Sequence, residues 1–97
     1  MLRFNAEAAC EQYAELADVI PGINSQGGAL QKTHQLIHYL EALITRLNLP
    51  TRLRDRDIDQ KDLPMLASDA MLQQRLLINN PRAVSETDAL AIYQAAY

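Results

Sequence analysis

The stretch from Ala29 to Asn48, "ALQKTHQLIHYLEALITRLN", constrains this chain more than any other part of it. Leu30, Thr33, Ile37, Leu40, Ile44 and Leu47 recur at three- and four-residue steps, and Leu36 and Leu43 widen the stripe. That is the period of one helical face, not the alternation of a strand. Leu49-Pro50 ends the run, because the residue before a proline is disfavoured in helical geometry. A helix with a single apolar stripe needs other apolar faces against it.

The rest of the chain reads the same way. Asn5 suits an N-cap, with Glu7 in the first turn where the helix dipole favours an acid. Ala6, Cys10, Tyr13, Ala17 and Ile20 then form a stripe that Pro21-Gly22 stops. "NSQGG", Asn24 to Gly28, is a flexible link. Further on, Asp59 followed by Asp62 resembles a capping arrangement. A single turn then leads into a helix from Leu63 or Pro64, where the missing proline N–H costs nothing. Its stripe is Leu63, Leu66, Ala67, Ala70 and Met71. "LLINNPRAV" is a loop with a short apolar run and an Asn80-Pro81 turn. Ser85 caps the last helix with Asp88 three residues on, and Ala89, Ile92, Tyr93 and Ala96 line its inner face. Met65 and Met71 read as core filler, and Tyr13, Tyr39, Tyr93 and Tyr97 as partly buried rings. There is no convincing strand and no internal repeat. The expectation is an all-α fold with about four main helices in a small bundle, a single helical segment over residues 1–97.

Composition narrows the function classes. The 97 residues suffice for one small domain with a modest core. Net charge −3 and a pI near 5.2 argue against a nucleic-acid partner, since phosphate binding needs a basic face. The one basic cluster, Arg52-Leu53-Arg54-Asp55-Arg56-Asp57, is interleaved with aspartates and reads as a self-neutralising turn. No run approaches the roughly eighteen apolar residues of a membrane span, and the N-terminus lacks a signal peptide's architecture. Cys10 is the only cysteine, so no internal disulfide forms; it packs in a stripe with no basic neighbour to activate it. These features point to a cytoplasmic protein without membrane or nucleic-acid partners.

His34 and His38 are the one chemical motif to weigh. Four residues apart, they lie on one helical face and both rings could reach one ion. The zinc-protease helix also needs a glutamate beside the first histidine, and here that residue is Gln35, whose amide cannot take a proton from water. Glu41, one turn beyond His38, is available as a third ligand. The competing reading is that all three are wet residues on the flank of an amphipathic helix. No catalytic triad or glycine-rich phosphate loop occurs, nor paired carboxylates with an obvious reason to shift their pKa.

Four phrases together resemble the C-terminal end of the iron-containing (group III) alcohol dehydrogenases. "LRFNAEAACEQYAELA" at the N-terminus is similar to the family's "MRFN" junction and the helix after it. "LPTRLRD" at Leu49–Asp55 resembles a loop between two C-terminal helices, and "DLPMLASDAM" at Asp62–Met71 a "DLP-x-LA-x-x-A" helix. "NPRAVSETDALAIYQAAY" at Asn80–Tyr97 is similar to the closing Asn-Pro-Arg loop and last helix. Order and spacing match from end to end. Gly27 and Gly28 depart from the pattern, standing where the family more often has polar helix-starting residues.

The resemblance implies an enzyme with an N-terminal α/β domain that binds NAD(P) and a helical C-terminal domain that holds Fe2+ or another divalent metal. Its reaction is hydride transfer between an alcohol and a nicotinamide, with the metal polarising the oxygen. Residues 1–97 would correspond to roughly the last quarter of it. The metal ligands, one aspartate and three histidines, and the glycine-rich cofactor loop would fall before Met1. No catalytic, cofactor or metal role therefore carries over to this chain, His34 and His38 included. One position approaches the substrate pocket: the residue four before Asn80, often cysteine in relatives and Leu76 here, which would make that wall apolar and could not ligate a metal. The implied partners are the remainder of the enzyme or another subunit, in a homo-oligomer, and the fragment alone would be inactive. The alternative is a freestanding helical module that self-associates or binds a partner through the apolar face left by the absent helices.

Overall fold

The computed structural model describes residues 1–24 and 26–97, so Ser25 of the expected Asn24–Gly28 link lies outside the described residues. The described residues form six α-helices and two short 3-10 helices with no strand, as the periodicity requires. None of these helices is long and apolar enough to cross a membrane. The chain divides into two compact units, Met1–Leu49 and Pro50–Tyr97.

The first unit holds α1 (Leu2–Asn5), α2 (Cys10–Val19) and α3 (Ala29–Arg46). The expected N-cap at Asn5 is corrected. Asn5 lies inside a preceding helical turn, is buried, and accepts the Ala9 N–H on its carbonyl at 2.9 Å. The helix proper starts after Ala9, whose side chain cannot cap. Its stop is as read: Ile20 is extended and Gly22 takes φ +94°, a conformation that costs glycine little. α3 starts after Gly28, which tolerates the N-cap position well. Its end is made before Pro50 is reached. Asn48 turns left-handed at φ 55°, and the Leu49 and Asn48 N–H groups close on the Ile44 and Thr45 carbonyls at 3.3 and 3.1 Å. Such a left-handed closure satisfies carbonyls that the helix leaves open.

α2 packs on α3 through small residues. Ala14 and Ala17 of α2 and Thr33, Leu36 and Ile37 of α3 are buried, as are Ala6 and Ala9 before α2, and alanines let two helix axes approach closely. The outer parts of the α3 stripe are not covered. Leu30, Ile44 and Leu47 are exposed, Leu47 to 59%. Length explains it: α2 has 10 residues and α3 has 18, about 15 Å against about 27 Å.

The second unit begins with 3-10 turns at Leu53–Arg56 and Gln60–Asp62, followed by α4 (Leu63–Ala70), α5 (Gln74–Leu77) and α6 (Glu86–Ala96). The single turn before Leu63 and the proline in the first turn of α4 are as expected. Asp59 and Asp62 are not a capping pair, because neither side chain bonds an N-terminal amide; Asp59 meets Lys61 at 3.2 Å instead. α5 replaces part of the loop read at "LLINNPRAV". α4 packs on α6, burying Leu63, Ala67 and Ala89. Met71 is half-buried, whereas Met65 is 58% exposed and fills no core: it stands off the face that Leu63 and Ala67 define.

α6 opens with the expected capping box. The Asp88 N–H donates to Ser85 Oγ at 3.1 Å, and the Ser85 N–H donates to Asp88 Oδ2 at 3.0 Å. Two amides at the helix start are thereby satisfied by the reciprocal Ser85–Asp88 pair.

Candidate functional site

Helix periodicity sends His34 and His38 to the side of α3, and both are exposed there. Glu41 follows on the same flank, but its carboxylate is engaged. Arg3 donates from Nη2 to both Glu41 oxygens at 2.7 Å and from Nε to Oε1 at 3.2 Å. This is a forked guanidinium–carboxylate pair, the strong geometry for that contact. Sequence reasoning missed Arg3, since nothing local links residues 38 apart. Among the described residues no three His, Cys, Asp or Glu side chains are gathered closely enough to hold a metal ion. The donors present here thus do not fit the metal that the resemblance implies.

Gln35, which stands where a metalloprotease helix has its base, has a structural duty. Its Nε2 donates to the Gln26 carbonyl at 3.2 Å, pinning the chain before α3 to the helix's second turn. Its Oε1 is buried without a hydrogen-bond partner among the described residues. In the core, the Thr33 hydroxyl lies 2.9 Å from the Ala29 carbonyl and 3.1 Å from that of Cys10. It ties α3 to the first turn of α2. Cys10 itself is a free, half-buried thiol in the stripe. Lys32 adds a second tie, donating to both oxygens of Asp18 at 2.8 and 3.0 Å.

In the second unit, the residue singled out as pocket wall, Leu76, lies in α5 and is 70% exposed. Leu72 and Ile78 on either side are 75% and 82% exposed. The basic cluster forms the first 3-10 turn, where the Arg52 N–H donates to Asp55 Oδ2 at 3.3 Å. Arg54 leaves the cluster and sits 5.7 Å from the centre of the Tyr97 ring, within cation–π range. Asp88 is held below its ordinary value of 3.8, first by the Ser85 backbone N–H, then by the Ser85 hydroxyl, with Arg82 adding a weaker pull and burial opposing. Among the described residues no hydrogen bond joins a serine, threonine or cysteine to a histidine. What these side chains arrange is packing, helix ends and exposed apolar surface.

The sequence profile of the Fe-containing alcohol dehydrogenase family, C-terminal, matches residues 1–97. The chain is similar to sulfoacetaldehyde reductase of Bilophila wadsworthia, 32% identical over 97% of this chain and 25% of that protein. Long-chain-alcohol dehydrogenase 1 of Geobacillus thermodenitrificans is 26% identical over 94% of the chain and 23% of its own length. Lactaldehyde reductase of Escherichia coli is 29% identical over 100% of the chain and 25% of its own length. The chain therefore spans about a quarter of the length of the curated relatives it matches.

Proposed function

The chain belongs to the Fe-containing alcohol dehydrogenase family, matching its C-terminal region, and on that premise we propose that it is the closing helical part of a metal-dependent, NAD(P)-linked alcohol dehydrogenase. The observation that carries this reading is the family match across residues 1–97, with relatives about four times as long. The parent reaction is hydride transfer between an alcohol and a nicotinamide. The residues present here do not fit the metal, so no step of that reaction is assigned to them. Their contribution is packing of the helical domain and an apolar stretch of substrate-pocket wall at Leu76, with the remainder of the polypeptide or a further subunit as partner. The purified 97-residue chain should not reduce NAD(P)⁺ with an alcohol and added iron. Measurable metal-dependent turnover by this chain alone would sink the reading. Reading the DNA upstream of the Met1 codon in frame sharpens it: paired histidines and a glycine-rich nucleotide loop there would put the assay on the longer chain.

A second reading is favoured by one observation, the exposure of Leu72, Leu76 and Ile78 together on one short segment. Exposed apolar side chains gathered on one segment favour an interaction face. On this reading the chain is a freestanding helical module that self-associates or binds a partner. Sedimentation should then show dimers or larger species that a Leu76→Glu, Ile78→Lys variant abolishes; a clean monomer with no dye-binding apolar surface counts against it.

A further inference from the structure

The second unit contains a concavity that the alcohol-dehydrogenase reading does not use. It has a volume of about 310 Å3 and runs between the Pro50–Ile58 segment and the C-terminal turn of α6. Pro50, Leu53, Ile58 and Ala96 supply apolar walls, and Arg52 and Arg56 are among the residues that line it. That size is at the lower end for small-molecule sites, which are concave, mostly apolar and supplied with a few polar groups that orient the ligand.

The turn expected to neutralise itself contains no ion pair to Arg52 or Arg56 among the described residues. Asp55, the acid between the two arginines, faces back to accept the Arg52 backbone N–H at 3.3 Å. Arg54, the third guanidinium, is engaged with the Tyr97 ring. Among the described residues neither Arg52 nor Arg56 has an ion-pair partner. Two guanidiniums without ion-pair partners, on residues that line an apolar recess, suit an oxyanion that carries an apolar group. A guanidinium presents a planar fork of donors that matches a carboxylate, and the recess removes an attached alkyl or aryl group from water.

We propose that this groove binds a small carboxylate bearing a short apolar chain or single ring. The apolar part lies on Leu53, Ile58 and Ala96, and the carboxylate accepts from Arg52 and Arg56. The assignment is independent of the enzymatic reading, because it rests on residues 50–58 and the end of α6 alone.

Octanoate is a suitable probe, titrated into the 97-residue chain while backbone amide signals are followed by NMR. Saturable shifts confined to residues 50–58 and the last turn of α6 are expected, with a Kd on the order of 1 mM for a ligand of this size. Arg52→Ala and Arg56→Ala should each weaken binding by roughly three- to fivefold, the range of an exposed charge pair, and the double variant by about tenfold or more. Octanol, with the same tail and no charge, should bind at least fivefold more weakly. Ala96→Leu places a larger side chain in the recess and should abolish octanoate binding while the α6 amide pattern persists. The proposal is overturned if octanol matches octanoate, if the double arginine variant binds as the parent does, if Ala96→Leu retains binding, or if the shifts fall outside this region.

Discussion

The two compact units solve the same packing problem by different means. Each buries one large leucine among alanines: Leu36 with Ala14 and Ala17 in the first, Leu63 with Ala67 and Ala89 in the second. In the first unit the side-chain ties cross between helices. Thr33 reaches the Cys10 carbonyl, Lys32 reaches Asp18, and Arg3 reaches Glu41 over separations of 23, 14 and 38 residues. In the second unit the polar order is mostly local. Ser85 and Asp88 close on each other three residues apart, and the Arg52 amide meets Asp55 at the same spacing. Non-local ties select which faces meet; local ones fix where an element begins. The first unit spends its polar groups on partner choice, and the second on punctuation.

The largest test of that contrast truncates the two anchors. Leu36→Ala and Leu63→Ala should each cost about 2–5 kcal/mol, the transfer loss plus the cavity left behind. Hydrogen exchange should report the loss at α2 and α3 for the first and at α4 and α6 for the second. If either substitution costs less than about 1 kcal/mol, that leucine is not the anchor of its unit.

Next in size is the capping box. Ser85→Ala should cost about 1 kcal/mol and raise exchange at the first amides of α6. The same box carries a pH dependence whose sign follows from Asp88. Its folded pKa lies below the ordinary 3.8, so its contribution is fully present above that value and is lost as pH falls through the folded pKa. Acidification into that window should therefore fray the start of α6, and Asp88→Asn should remove the dependence. An Asp88→Asn chain with the parent's acid profile would break the assignment, whereas Ser85→Ala keeps the backbone N–H bond to Asp88 and should only weaken the dependence.

The same contrast explains what could be read beforehand. A capping box occupies four consecutive residues, so "SETD" declares it, and the turn before Leu63 is similarly local. The α3 stripe was legible because its period extends over several turns. Covering that stripe is a different matter: Leu30, Ile44 and Leu47 carry the same periodic signal as Ile37, but only α2's shorter length decides that they stay exposed. Asn5 has the chemistry of an N-cap, yet tertiary burial put it inside a turn, a competition that propensity alone cannot resolve. Of the candidate site residues, His34 and His38 were placed correctly on a helix flank by geometry alone. The fate of Glu41 was hidden, because its partner is 38 residues away. Leu76 differs again: periodicity says nothing of it, and only family resemblance gave it a role.

The smallest expected effect makes the sharpest distinction between contact and stabilisation. Arg3 and Glu41 form the best-shaped ion pair in the first unit, forked and at 2.7 Å, yet their side chains are 68% and 51% exposed. Water already solvates both charges well, and fixing two long side chains costs conformational entropy, so pairs of this exposure contribute between nothing and about 1 kcal/mol. Glu41→Gln should therefore lower stability by no more than about 0.5 kcal/mol, and that difference should vanish in about 1 M salt, where screening acts over a few ångströms. Lys32–Asp18 offers the internal comparison, since the Lys32 side chain is only 23% exposed. Its loss in Lys32→Met should exceed that of Glu41→Gln and survive more salt. If Glu41→Gln instead costs 1.5 kcal/mol or more at 1 M salt, the pair's role is to hold the short α1 turn against α3, and non-local ties in this unit carry stability as well as register.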